Sequence, residues 1–172
     1  MSNFRLAFVQ LMEAETEFVQ RPTDLGGPRK WGITVKDLAT FRQKRTSGYD
    51  LMHMDENEAK DYYMKTFWKP LRLDEVRSEY VALIIFDQAI CRGIQGALRA
   101  CQRILGEQLE SEMTKKLINC INSRQESAMG LELIKSYQRY LVDQCVQDPK
   151  QVTTLNSRLK RTHELLSFIV HQ

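Results

Sequence analysis

Apolar residues recur at helical spacing along most of the chain, and the clearest case is the segment from Phe4 to Val19. At roughly 100° per residue, one face collects Phe4, Ala7, Phe8, Leu11, Met12, Ala14, Phe18 and Val19. Glu15 lies in the middle of this face, whereas Glu13 and Glu17 lie about 200° away from it. The pattern therefore predicts an amphipathic helix over residues 4–19 with one inward carboxylate.

The inward position of Glu15 has two interpretations. A carboxylate that loses its hydration favours the neutral acid, and this is how enzymes hold a proton donor ready near neutral pH. An inward glutamate that pairs with an arginine or a lysine explains the same pattern without any catalytic role. The hydrophobic pattern alone leaves both interpretations open.

Two further helices are predicted from their start signals. Thr34 precedes a helical spacing of apolar residues and is followed three positions later by Asp37, which indicates an N-cap with a capping box. Asp55 and Glu58 form a second capping signal, and the helix that follows ends in the segment Phe67-Trp68-Lys-Pro70. Near the end of the helix that begins after Thr34, a solvated basic face is expected from Arg42, Lys44 and Arg45.

Residues 80–91 are apolar almost all round, which predicts the buried central helix of the domain. Twelve residues are too few to cross a bilayer, and no apolar segment is expected to span a membrane. Arg92-Gly93 marks a bend before a further helix that stops at Gly106. Asp87 is the second acid in apolar surroundings, and it is either a buried structural residue or part of a binding site.

The last third of the chain is helical, with a break at Asp148-Pro149. The whole pattern predicts a mainly α protein, a single globular helical domain with little or no sheet. We divide it into an N-terminal half, residues 1–105, and a C-terminal helical half, residues 106–172, that together form one structural unit.

Between the first two helices lies a loop, Pro22-Thr-Asp-Leu-Gly-Gly-Pro28, that is rich in residues that restrict or free the backbone. Proline sets φ, and Gly26 and Gly27 permit positive φ and the close approach of another group. A rigid turn after a helix with a buried acid is a common wall of a cleft. Asp24 either closes an Asx turn or faces the substrate.

Five short motifs carry a resemblance to a known family. They read Glu15-x-x-Phe18, Pro22-x-Asp24-x-Gly26-Gly27, Gly32-Ile33-Thr34, Glu58-Ala59 with Tyr63 and Phe67-Trp68-x-Pro70, and Phe86-Asp87-x-Ala89-x-x-x-Gly93. In this order they resemble the bacterial N-acetylmuramidases once called secretion activator proteins, glycoside hydrolase family 108. The resemblance extends from about Phe4 to Leu105.

The resemblance implies a lysozyme-like fold and a hydrolase that cleaves the glycan strands of peptidoglycan without a cofactor. It places the catalytic acid at Glu15, which the helical pattern singles out independently. A second carboxylate, or a water held by Asp24 or Thr34, would support the charged transition state. The implied substrate-binding residues are Phe18, Gly26, Gly27, Tyr63, Trp68 and Asp87. Tyr63 and Trp68 belong to an aromatic cluster that either stacks on sugar rings or fills the core.

The chain also departs from the family pattern. Thr16 and Glu17 replace the two glycines that follow the catalytic glutamate, and Cys91 replaces an asparagine. The C-terminal half keeps only Thr114 of a glycine-containing signature found in a peptidoglycan-binding-like segment. The alternative function is therefore a catalytically impaired relative that binds the cell wall or another protein.

Composition limits the remaining function classes. A net charge of +3 on 172 residues is far below that of a typical nucleic-acid-binding domain. Four scattered cysteines and three distant histidines predict reduced thiols and no metal site. The N-terminus lacks a signal-peptide pattern, so we expect synthesis in the cytoplasm and action in the periplasm or outside the cell through a holin or a secretion system. We expect a monomer whose partner is the peptidoglycan strand.

Overall fold

A computed structural model describes residues 3–15, 17–19 and 27–170, with side chains as far as residue 167, and it is mainly α-helical. The helices in this part of the chain are α1 Phe4–Ala14, α2 Val35–Arg42, α3 Gly48–Met52, α4 Glu56–Tyr63, α5 Glu79–Leu105, α6 Lys115–Ser123, α7 Glu126–Gln147 and α8 Val152–Val170. Two short strands, β1 Arg29–Lys30 and β2 Ile33–Thr34, form the antiparallel sheet. The predicted fold class is confirmed.

The chain forms two compact units, one of residues Phe4–Lys69 and the other from Pro70 onward. The predicted division into residues 1–105 and 106–172 stays a prediction. Its boundary coincides with the end of α5, where Gly106 adopts a left-handed conformation with φ of 67° and caps the helix as expected.

In the first unit, the apolar face of α1 packs on aromatic rings from α4 and from a π-helical turn, Met64–Trp68. The rings of Phe4 and Trp68 meet edge to face at 5.3 Å, and those of Phe8 and Tyr63 lie 6.4 Å apart. Trp68 is fully buried and Tyr63 is 1% exposed. The predicted face of α1 is confirmed for its buried residues Phe4, Ala7, Phe8 and Leu11, because the period of these residues is the period of the helix. Met12 and Ala14, predicted on the same face, are not buried.

The predicted length of the first helix is wrong. α1 ends at Ala14, and Val19 pairs instead with Arg29 across an antiparallel bridge, with hydrogen bonds of 2.8 Å in both directions. The amide of Trp31 also donates to the carbonyl of Glu17. Residues 17–19 therefore lie beside the hairpin, where these backbone hydrogen bonds take the place of helical ones.

The two start signals are confirmed. Thr34 caps α2 with a complete capping box to Asp37, and the carboxylate of Asp55 accepts the amide of Glu58 at 2.8 Å. The expectation of a solvated basic face is wrong for Arg42, because its guanidinium binds Glu58 of α4 with two hydrogen bonds of 2.6 and 2.5 Å. A fixed fork of donors fits a carboxylate well, so this pair joins α2 to α4.

In the second unit, α5 is the buried central helix, and it is longer than its apolar run because it continues through a kink at Gly93, where φ is 77° and ψ is 160°. The predicted bend is confirmed. Within the described residues, α5 alone is long and apolar enough to cross a membrane by length and composition, which corrects the expectation from residues 80–91. Of its most apolar 18-residue window, 61% is buried in the protein, and a core helix passes the same test.

The helices α6, α7 and α8 pack around α5 and one another. Asp87 of α5 is paired with Arg161 of α8, and its carboxylate side chain is 5% exposed. Burial raises the pKa of Tyr137 on α7, and the nearby charge of Asp87 raises it further. This unit therefore holds an ion pair whose carboxylate is buried near Tyr137.

Candidate active site

Glu15 directly follows the last residue of α1, so it lies at the end of the helix and not within its apolar face. Its amide donates to the carbonyl of Leu11 at 3.0 Å, which continues the helical hydrogen bonding by one residue. Its side chain is partly exposed. A carboxylate at this position is held by a helix and still reaches solvent, as a proton donor to a bound substrate must.

The turn of the hairpin lies against this carboxylate. Trp31 and Gly32 link β1 to β2 with φ values of 48° and 80°, which is the type I′ geometry of a two-residue hairpin. A methyl group on Gly32 would lie 3.2 Å from Oε2 of Glu15 and 3.0 Å from the hydroxyl oxygen of Tyr63. The three residues therefore meet around one glycine, and a side chain there would crowd the acid.

Tyr63 links this turn to the aromatic core. Its hydroxyl donates to the carbonyl of Trp31 at 2.6 Å, and its ring stacks on Phe67 at 6.0 Å. Because the ring is buried and rigidly packed, the hydrogen bond from its hydroxyl holds the Trp31–Gly32 turn in place. Tyr63 was predicted to bind substrate, and the structure places its hydroxyl beside Glu15, where it positions the turn.

A buried cation precedes the same turn. Lys30 is 8% exposed, and its ammonium donates to the carbonyl of Met52 at 2.7 Å while lying 4.5 Å from the ring centroid of Trp31. Buried lysines are rare because the charged group loses its hydration, so the carbonyl and the aromatic ring compensate. Lys30 thereby stabilises the left-handed residue Trp31.

Thr34 was predicted to hold a water for catalysis, and the structure gives its hydroxyl another partner. Oγ1 donates to Oδ2 of Asp37 at 2.6 Å and accepts the Asp37 amide at 3.1 Å. A hydroxyl has one donor hydrogen, which here is used within the capping box. Thr34 can still accept a hydrogen bond from water, and the catalytic assignment stays a prediction.

The other predicted site residues divide into three groups. Asp24 and Gly26 lie outside the described residues. Gly27 has φ of 72°, and no atom of the described residues lies within 4 Å of a methyl group added to it; Phe18 is partly exposed. Trp68 is fully buried and offers no exposed face to a sugar ring, which agrees with the alternative that it fills the core. Asp87 is buried and paired with Arg161, which agrees with the alternative that it is a structural residue and not part of a binding site.

Sequence reasoning missed the roles of Gly32, Lys30 and the Tyr63 hydroxyl. A two-residue link that ends in glycine between short extended segments is a hairpin signal and could have identified the turn. The contact of Tyr63 with Trp31 spans 32 positions and leaves no local signal. In the part of the chain that the structure describes, no group of three metal-ligating side chains occurs.

Comparisons with known proteins bear on this geometry. The sequence model of the family described as Glycosyl hydrolase 108 matches residues 8–93, which contain Glu15, the hairpin and Tyr63. Twelve chains of solved structure match the fold; one, the structure of Brucella abortus SagA, aligns with a TM-score of 0.78 at 20% identity over 95% of each chain. No curated protein sequence matches. With the family match over half of its length and the same fold in SagA, the chain belongs to glycosyl hydrolase family 108.

Proposed function

We propose that this chain is a peptidoglycan hydrolase of the N-acetylmuramidase type, with Glu15 as its general acid. The observation that carries the proposal is the position of Glu15 at the end of α1, partly exposed and against Gly32 of the hairpin turn. Family membership supports a glycoside hydrolase, and that class of enzyme uses a carboxylic acid to protonate the leaving oxygen.

In this proposal the protonated Glu15 donates its proton to the oxygen between two sugars as the bond breaks. The sugar that remains develops positive charge, which a second carboxylate or an activated water must meet. Asp24 is the proposed partner in that step, and Phe18 and Gly27 border the approach to the acid. In this proposal, the turn held by Tyr63 restrains the position of the Glu15 carboxyl group. This matters because general-acid catalysis requires the proton donor within hydrogen-bond distance of the leaving oxygen.

The decisive experiment compares Glu15→Gln with Glu13→Gln on a zymogram of purified cell wall. The amide of Glu15→Gln cannot donate a proton of the required acidity, so lysis should fall by roughly 10²–10⁴-fold with an unchanged melting temperature. Glu13 is exposed on α1, so Glu13→Gln should lyse the wall like the parent protein. Equal losses in both variants would contradict the assignment of Glu15.

A second candidate follows from Thr16 and Glu17, which stand where the family pattern has glycines. Glu17 is exposed, so it adds charge and bulk directly after the acid. The second candidate is a wall-binding or protein-interaction module that has kept the fold and lost the activity. A parent protein that lyses no wall but sediments with insoluble peptidoglycan would favour this candidate.

The proposed substrate also sets where the protein acts. Peptidoglycan lies outside the cytoplasmic membrane, so the proposed route is through a holin or a secretion system to the periplasm or the exterior. We propose that the protein acts there as a monomer on single glycan strands.

A further inference from the structure

A groove lies between the C-terminal part of α5 and α7, within the second unit, and its cavity volume is about 600 Å³. Five basic side chains line it: Arg92, Arg99 and Arg103 from α5, and Lys135 and Arg139 from α7. Two acids also line it, Glu132 and Asp143, and Glu132 is paired with Lys135 at 3.0 Å. The groove therefore has an excess of positive charge that the protein does not neutralise locally.

Arg92 lies deepest among these cations, and the helix makes room for it. A methyl group on Gly96 would lie 2.8 Å from Cγ of Arg92, so the side chain occupies the space that Gly96 leaves open. The guanidinium donates to the carbonyl of Gly96 at 2.7 Å and lies 5.4 Å from the ring centroid of Tyr140. Its Nε is buried and has no hydrogen-bond partner among the described residues.

An unpartnered buried donor costs free energy, and an anion against the Arg92 guanidinium would supply a counter-charge to a cation that is already partly desolvated. Burial also lowers the pKa of Arg92, in the direction expected for a cation that lacks a full counter-charge. The other three arginines are exposed, so they can reorient toward a ligand. Arginine presents a planar fork of donors that binds phosphate oxygens in pairs.

The arrangement is linear. Beyond the kink at Gly93, one stripe of α5 carries Gly96, Arg99 and Arg103 and extends for about 10 Å at about 1.5 Å per residue, and Arg92 reaches the start of this stripe through its hydrogen bond to Gly96. Cations spaced along a concave path match charges that repeat along a strand better than they match a flat membrane surface. The apolar part of the lining comes from Ala100, Ile104 and Tyr140, and the charged side chains lie on the same two helices.

We propose that this groove binds an extended chain that carries phosphate groups, at a site separate from Glu15. The probe is inorganic tripolyphosphate, titrated calorimetrically into the full-length protein at low salt. Binding should be measurable there and should weaken as salt is raised, because exposed charges are screened.

The test variant is Arg99→Gln/Arg139→Gln, which removes one exposed cation from each wall. Its matched control is Lys44→Gln/Arg45→Gln, which removes the same charge from exposed residues of the first unit. The groove variant should bind tripolyphosphate about tenfold more weakly or worse, and the control should bind like the parent protein. Melting temperatures verify that both variants fold.

Three results would overturn the proposal. They are absent binding, equal weakening in the groove variant and its control, and equally tight binding of the tricarboxylate tricarballylate. Binding to phosphatidylglycerol vesicles without binding to tripolyphosphate would contradict the proposed phosphate-carrying chain and would indicate a membrane surface as the ligand of the groove. Glu15→Gln should bind tripolyphosphate like the parent protein, so the fate of this site is distinguishable from that of the proposed hydrolase.

Discussion

Glu15 and Asp87 differ in their surroundings, although the sequence pattern placed both acids among apolar residues of a helix. Asp87 lies within α5, is 4% exposed and is paired with Arg161 of α8. Glu15 follows the last residue of α1, is partly exposed and lies against a glycine turn. A charge inside a helix bundle must be compensated there, whereas a carboxylate at a helix end can meet a ligand.

This comparison predicts that Asp87 contributes to stability, whereas the proposed role of Glu15 is catalytic. Asp87→Asn should lower the free energy of unfolding by about 3 kcal/mol, because it removes the buried carboxylate of an ion pair. The measurement is the urea midpoint, with lysis assayed well below the melting temperature, where activity should persist. Asp61→Asn is the matched control, since Asp61 pairs with Lys65 on the surface and its loss should cost about 0.5 kcal/mol or less.

A stable Asp87→Asn protein without lytic activity would reverse the assignment. Asp87 would then belong to the substrate site that the family resemblance implied, and the pair with Arg161 would serve to position it.

The second prediction concerns the glycine at Glu15. Gly32→Ala should reduce lysis by about tenfold or more, because its methyl group would displace Glu15 and Tyr63 in addition to straining a positive φ. Gly106→Ala is the control, since Gly106 has a similar φ but, among the described residues, nothing within 4 Å of the added methyl group. Both variants should lose about 1 kcal/mol of stability from strain.

The difference in lysis between the two alanine variants isolates the crowding at the acid. If both lost activity equally, backbone strain alone would explain the effect, and the contact of Gly32 with Glu15 would have no catalytic importance.

The smallest expected effect concerns Thr34, which ends β2 and acts as the N-cap of α2. Thr34→Ala should cost about 1 kcal/mol of stability, whereas Thr34→Ser should cost little because it keeps the capping hydroxyl. Lysis per folded molecule should be unchanged in both variants. A loss of lysis in Thr34→Ala at full folding would restore the catalytic assignment of Thr34.

Local features of the fold were predictable because their partners are close in sequence. The caps at Thr34 and Asp55, the bend at Gly93 and the stop at Gly106 depend on residues within a few positions. The apolar face of α1 was predictable for the same reason, since its period is that of the helix. The end of α1 was not, because the pairing of Val19 with Arg29 competes with the helix from outside it.

The sequence by itself determined the mainly α class and the family motifs, and it led to the prediction of Glu15 among three neighbouring acids. Tertiary structure decided what each acid meets: Arg161 reaches Asp87 across 74 positions, and Gly32 and Tyr63 converge on Glu15 from separate elements. It also brought the arginines of α5 opposite those of α7. Helical periodicity reports which face of a helix is apolar, but only packing determines which distant charge, ring or turn lies against that face.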